Sequence, residues 1–372
     1  MQIYDCAVIG AGISGVGVAL EAARAGKKVL LLDSAEPLQS TSANSLRIIH
    51  GGFRYLQKMQ LSRVYRSLAD QTHLLKWARE FITPLKCIMP LGSAGLKSPV
   101  PARAGCLLFC ALTSTQEKAI PAPFVASRAE VSAEFPELAA LALNGALVWH
   151  DALIADQKGF HSFLLSELQS LGVIVVGNAN LSKISRGLNW DLDYNGEHAQ
   201  ARYLVNTAGA WVEDVRTTAR VLSNRPQAWC KAFNIALSRQ IESRYAFGLE
   251  SKEGRLYFVV PRGTRSVIGT AYEPCKKENF APPTEIELQR FITGFNSVMP
   301  QAKVKLADLD GVDFGFLPIE RVISGVPKLC DKAEVLQQGT YIEVLSTKYT
   351  TFLSQGREVL ARIIATASEP FL

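Results

Sequence analysis

The chain has 372 residues, 48% of them hydrophobic and 20% charged, with a formal net charge of +6. That length buries a large core and suggests two domains, while the absence of any run of about eighteen apolar residues excludes a spanning helix. The positive balance is too modest and too evenly spread for nucleic acid; it suits a small anionic ligand or an acidic surface.

The N-terminus runs straight into a strand pattern without the regions of a secretory signal. Seven scattered cysteines with no C-x-x-C fit reduced thiols rather than a disulfide framework or a zinc site. The expected location is the cytoplasm, with membrane contact at most peripheral, on the inner face.

In chain order, Tyr4 to Gly10 is an apolar run ending in glycine, as in a buried parallel strand. Ser14 to Ala25 predicts a helix rich in small residues with Gly26 as its cap. Val29 to Leu32 predicts a second buried strand that ends at Asp33. Leu61 to Arg79 keeps helical spacing. The next sixty residues are rich in Pro, Gly and Ala and show short β-like pieces, as in an inserted domain.

Phe160 to Leu171 predicts a helix, followed by the strand VIVV. Leu188 to Tyr194 alternates, and Asn195-Gly196 predicts a tight hairpin returning toward Leu204-Val205. Leu256 to Val260 and Ser266 to Gly269 pair through Pro261 to Thr264, and EPCKKENFAPP reads as a linker. Thr284 and Glu287 form a capping box, and Thr350 to Ala367 predicts a last helix.

Two stretches carry the chemistry. In the first turn, Gly10, Gly12, Ile13, Ser14 and Gly15 form G-x-G-x-x-G between a strand and a helix. Gly10 permits the turn, Gly12 the approach of a pyrophosphate, and Gly15 close packing of helix on strand. The helix N-terminus, with Ile13 and Ser14, faces the phosphates. Asp33 sits where a carboxylate accepts from ribose hydroxyls, and its charge disfavours NADP.

The second stretch runs from Thr41 and Ser42 through Ser45 to Ile49-His50-Gly51-Gly52-Phe53-Arg54-Tyr55-Leu56. It closely resembles the FAD-dependent glycerol-3-phosphate dehydrogenases and glycerophosphate oxidases, within the wider D-amino-acid-oxidase (DAO) family. The resemblance implies an α/β fold: an FAD-binding Rossmann-like domain of the glutathione-reductase type and an antiparallel-sheet substrate domain. The expected segments are 1–80, 145–220 and 335–372 for FAD, and 81–144 and 221–334 for substrate.

It implies FAD, with Gly51 and Gly52 leaving room for a flat ring where no Cβ intrudes; covalent attachment through His50 or a cysteine occurs in related enzymes, but non-covalent binding is expected here. Ala208, Gly209 and Trp211 match the family's second FAD segment, and Thr347, Lys348, Tyr349 and Thr350 match a third before the last helix. The implied reaction moves hydride from a CH–OH group of a glycerol-3-phosphate-like anion to flavin N5. His50 is the expected base, a residue type suited to taking a proton, Arg54 has the fork to hold an anion, and Lys348 supports either anion or flavin charge.

The sequence departs from the family in three places. Gly315-Phe316-Leu317-Pro318-Ile319 has leucine where the family has the arginine that binds substrate phosphate. Lys231-Ala232-Phe233-Asn234 stands where the family has Lys-Gly-Ser-His, and the sequence stops before the helical C-terminal domain of the long dehydrogenases. Arg262, Arg265 and Arg321 are nearby candidates to compensate for Leu317. A hydroxy- or amino-carboxylate substrate, or a non-catalytic FAD-binding protein, is the alternative. The electron acceptor (oxygen, a quinone or a partner protein) is left open.

Overall fold

The structure, a computed structural model, describes residues 2–222, 228–242, 244–323, 325–330 and 333–367. Residues 368–372 of the last expected FAD segment lie outside the described residues.

The first half of the chain forms β1 (Ile3–Ile9), α1 (Ile13–Arg24), β2 (Val29–Leu32), β3 (Ile48–Ile49), α2 (Leu61–Trp77), β4 (Ile82–Pro90), α3 (Pro99–Leu112), β5 (Phe124–Ala126), α4 (Arg128–Glu134), β6 (Ala146–Ile154) and α5 (Gln157–Ser170). Then come β7 (Ile174–Val176), β8 (Leu181–Arg186), β9 (Trp190–Tyr194), β10 (Glu197–Asn206), α6 (Val212–Thr218), β11 (Ala228–Leu237), β12 (Ala246–Glu250) and β13 (Leu256–Arg262). The remainder is β14 (Arg265–Cys275), α7 (Glu285–Val298), β15 (Leu309–Ile323), β16 (Val326–Leu329), β17 (Glu334–Gln338), β18 (Tyr341–Leu345) and α8 (Phe352–Ala367).

The first sheet has the order β17-β18-β10-β1-β2-β7, with the β8–β9 hairpin attached to β10. Its central pairs, from β18 to β7, are parallel. Buried on both faces, the inner strands β2 and β18 carry continuous buried runs such as VLLL. One face packs against α1, α5 and α8, and the β8–β9 hairpin builds a separate core on the other. Asn195 (φ 50°) and Gly196 (φ 80°) form the predicted two-residue turn. Helix α1 meets α8 with almost no space between backbones: a Cβ on Gly17 would lie 2.4 Å from the Phe352 carbonyl oxygen, and one on Gly356 2.2 Å from that of Gly17.

The second sheet runs β16-β15-β11-β14-β13-β12-β4-β6-β3 and is antiparallel except for the β12–β4 pair. Its outer face is covered by α7 and α4 through Phe291, Ile292, Phe295 and Val131. The capping box at Thr284 and Glu287 opens α7 as expected. Strands β3 and β6 belong to this sheet, although their residues fall in segments that the sequence pattern assigned to the first.

Two helices, α3 and α4, occupy the Pro/Gly/Ala-rich stretch read as β-like. In α3 the exposed Leu107 and Leu108 break the amphipathic period, and Pro99 takes the first helical position, where no amide bond is lost. Strand β14 extends through Cys275, into the segment read as a linker.

Candidate active site

Backbone crowds the first and last glycines of the turn. Gly10, at φ 103°, donates to the Leu32 carbonyl at 2.7 Å, and a Cβ on it would lie 2.7–2.8 Å from Thr207 and Ala208 backbone. A Cβ on Gly15 would fall 1.8 Å from the Gly10 oxygen. Gly12 is the N-cap of α1, and Ser42 Oγ accepts from the Ile13 amide at 2.9 Å. The amides of Ser14 and Gly15 belong to the first turn, where helix geometry supplies no acceptor.

Asp33 accepts from the amides of Ala11 (2.6 Å) and Ala35 (2.9 Å), which fixes its carboxylate at the end of β2. Burial pushes its pKa up, against the pull of these two bonds.

Two other segments converge on this turn. At the end of β10, Thr207 Oγ1 donates to the carbonyls of Ile9 (3.0 Å) and Gly10 (2.7 Å), and Gly209 follows at φ 55°. Ahead of α8, Gln355 accepts from Ser14 Oγ at 3.4 Å and donates to Ser346 Oγ at 2.8 Å. Thr347 donates to the Cys330 carbonyl, and Tyr349 OH lies 2.9 Å from His161 Nε2. Thr41 accepts from the Phe316 amide at 3.2 Å and so ties the motif to β15. Ser45 accepts from the Arg47 amide at 3.1 Å. Trp211 is 43% exposed and meets Phe280 edge-on at 6.3 Å, a contact with an aromatic cluster rather than with the glycine turn.

His50 is held from three directions. Its amide donates to Thr350 Oγ1 at 3.0 Å, its Nδ1 lies 2.8 Å from Asp151 Oδ2, and its Nε2 lies 3.0 Å from Arg54. Arg54 has only protons to offer, so Nε2 is the acceptor and Nδ1–H donates to Asp151. Asp151, on β6, is 3% exposed and also accepts from the Gly51 amide (2.8 Å) and Trp149 Nε1 (3.1 Å). Burial pushes its pKa up, but His50 and these donors outweigh that and hold it below the ordinary carboxylate value.

Sequence reasoning missed Asp151. The available signal was an acid in the middle of the apolar run ALVWHDALI.

The glycines beside His50 have a cause within the protein itself. A Cβ on Gly51 would lie 2.5 Å from Gln71 Oε1, and one on Gly52, at φ 92°, 2.7 Å from the Val64 carbonyl. Both glycines are therefore demanded by the packing of α2, whose Gln71 also donates to the Ile49 carbonyl at 2.8 Å. Lys348 Nζ lies 4.1 Å, Arg63 Cζ 4.3 Å and Arg54 Cζ 5.5 Å from the centre of the Tyr55 ring, so three cations gather on one aromatic.

Facing this group is the inner side of the second sheet. Tyr272 lies within reach of the Arg54 charge, which opposes the larger upward push of burial on its phenol. Asn234 accepts from Thr270 Oγ1 at 2.9 Å where the family resemblance led to a histidine, and Lys231 instead pairs with Glu287 at 2.9 Å. Leu317 is half-buried opposite Cys230. Of the arginines named as substitutes, Arg262 is engaged by Asp313 (2.6 Å) and the Ser45 carbonyl (2.9 Å), and Arg265 by Asp310. Arg321 is exposed near the far end of β15.

A turn that excludes side chains, helix amides aimed across it and an anchored carboxylate at the strand end fit FAD through its pyrophosphate and ribose. The profile of the DAO family, FAD dependent oxidoreductase, matches residues 5–340, and the chain belongs to that family. FAD is accordingly its cofactor.

Among relatives, the chain is 28% identical to a glycerol-3-phosphate dehydrogenase of Pseudomonas aeruginosa over 95% of this chain and 66% of that protein. It thus spans just under two thirds of the relative's length. The fold is shared with glycerol-3-phosphate dehydrogenase from Bacillus halodurans complexed with FAD (TM-score 0.75, 17% identity, 99% of this chain and 66% of that one). It is also shared with glycine oxidase from Geobacillus kaustophilus (TM-score 0.71, 16% identity, 98% and 95%). Among the described residues no helix is long and apolar enough to cross a membrane.

Proposed function

We propose that this protein oxidises the CH–OH group of a small anion resembling glycerol 3-phosphate. The observation that carries the reading is the His50 imidazole, oriented by buried Asp151 with its Nε2 lone pair directed at Arg54. When bound, FAD supplies the electron-accepting ring for breaking a substrate C–H bond.

The chain's own residues do the rest. Arg54 turns its guanidinium from His50 to the substrate anion, which uncovers Nε2. Nε2 then takes the hydroxyl proton, and Asp151 stabilises the imidazolium that results. Lys348, beside the same tyrosine as Arg54, adds positive charge for the anion. Phe53, three residues from His50, packs on Phe109 of α3 with ring centres 5.2 Å apart.

The half-buried Leu317 supports a second reading, in which the substrate is a hydroxy- or amino-carboxylate that one arginine suffices to bind. Anaerobic bleaching of bound flavin across glycerol phosphates, hydroxy acids and N-alkyl amino acids separates the two. His50→Ala and Arg54→Ala are expected to fold, keep FAD and lose substrate-driven bleaching. Unimpaired bleaching in both variants refutes the assignment.

A further inference from the structure

Within the stretch that leads to His50, one cation has no counterpart. Arg47 sits at φ 62°, its amide on Ser45 Oγ and its carbonyl accepting from the Ile154 amide at 2.9 Å, so its backbone is fixed from both sides. Its side chain is half-buried and Nε is fully shielded, yet Nε has no hydrogen-bond partner. Among the described residues, none forms a hydrogen bond or close ion pair with the guanidinium.

Its neighbours make this costly. Arg262, a like charge, stands close enough to lower the Arg47 pKa, which burial takes down to about 10. Asp313 and Asp156 oppose that shift from a distance, but Asp313 is already committed to Arg262. On the other side, the Arg47 charge adds to burial in pushing the His161 pKa down to about 4, so His161 stays neutral at physiological pH and brings no charge of its own. Tyr349, from the segment ahead of α8, completes the surroundings.

A shielded guanidinium nitrogen without an acceptor loses its hydration and gains nothing in exchange. A chain that holds one in a constrained backbone, between Ser45 and His50 and beside Tyr349, is built for an acceptor it does not itself contain.

We infer that Arg47 faces the FAD isoalloxazine and is the cation that offsets the negative charge of its reduced form. Two electrons and one proton leave that ring with one net negative charge, and a desolvated guanidinium beside it favours that state. Arg262 is itself pinned by Asp313 and the Ser45 carbonyl. The inference rests on FAD binding and not on the identity of the substrate.

The test therefore needs no substrate. Sulfite adds to the oxidised flavin ring and leaves it negatively charged, so its affinity reads the local cation. Arg47→Met is expected to bind sulfite at least tenfold more weakly, and the midpoint potential, titrated with a reference dye, to fall by the equivalent of a tenfold change in a two-electron equilibrium, about 30 mV. Arg47→Lys is expected to lie between Met and wild type. The FAD-free Arg47→Met protein is expected to melt no lower than wild type, because removing an unpaired buried charge relieves the fold.

Loss of FAD from Arg47→Met with retention in Arg47→Lys also supports the assignment. Unchanged sulfite affinity and potential in Arg47→Met overturns it. So does loss of FAD from both variants together with a lowered melting temperature of the FAD-free protein, which assigns Arg47 to folding.

Discussion

Amidation of Asp151 tests the reading of His50 most directly. The carboxylate receives three donors: His50 Nδ1 and Trp149 Nε1 on one oxygen, the Gly51 amide on the other. In the variant Asp151→Asn the carboxamide has one oxygen and one NH2, so one of the two sides must meet a donor with a donor. The Gly51 amide is backbone and buried, whereas the half-buried Trp149 side chain is able to tilt. The oxygen therefore goes to Gly51 and the NH2 to His50.

His50 then accepts at Nδ1 and carries its proton on Nε2, where it can neither take a proton from substrate nor accept from Arg54. Loss of one charge-assisted bond and the orphaned Trp149 N–H is expected to cost about 1–3 kcal/mol, which leaves the fold intact. The rate of anaerobic flavin reduction is expected to fall by about 10²–10⁴-fold, as for other histidine bases deprived of their orienting carboxylate. Stopped-flow bleaching measures the rate, and nitrogen-15 spectra of labelled histidine measure the tautomer. An inverted tautomer with reduction within about threefold of wild type would falsify the role given to Nε2.

Three further outcomes are expected. Gly51→Ala sets a methyl group 2.5 Å from Gln71 Oε1, so Gln71 must give up its bond to Ile49; a loss of about 1–3 kcal/mol is expected in urea unfolding, and an unchanged midpoint would show that α2 yields freely. Burial and Arg47 lower the His161 pKa to about 4, so between about pH 6.5 and 4 the unfolded chain binds the extra proton. The contribution of neutral His161 is thus complete above about pH 6.5 and is lost as pH falls toward 4; melting temperature against pH should be flatter across that window in His161→Gln, and parallel curves would refute it. Arg216 and Glu343 form a two-bond ion pair with side chains only 9% and 3% exposed, so Arg216→Met strands a buried carboxylate at about 3–5 kcal/mol; the double variant with Glu343→Met should recover much of that in thermal melts.

Much of the architecture was legible because its signals are local. The turn Gly10 to Gly15, the strand ending at Asp33, the Asn195-Gly196 hairpin and the Thr284 capping box each declare themselves within a few residues, and the structure has all four. Long-range pairing was not legible. Nothing near His50 announces that its partner arrives 101 residues later on β6, or that β3 and β6 join the other sheet. The packing demand on the glycines at 51 and 52 was equally hidden, since the atoms that exclude a Cβ there belong to α2. Helix α3 was missed because its surface leucines and leading prolines imitate irregular chain.

The interlocked glycines of α1 and α8 have a consequence for synthesis. The cofactor half draws its middle strands from residues 3–9 and 197–206, but its flanking strand and the helix seated on Gly17 come only from residues 341–367. On the ribosome the nucleotide cradle must therefore wait, half assembled, while the other lobe is made between its parts. No fragment of this sequence that ends before α8 will reproduce it, and any change that disturbs α8 will be felt at the glycine turn ahead of α1.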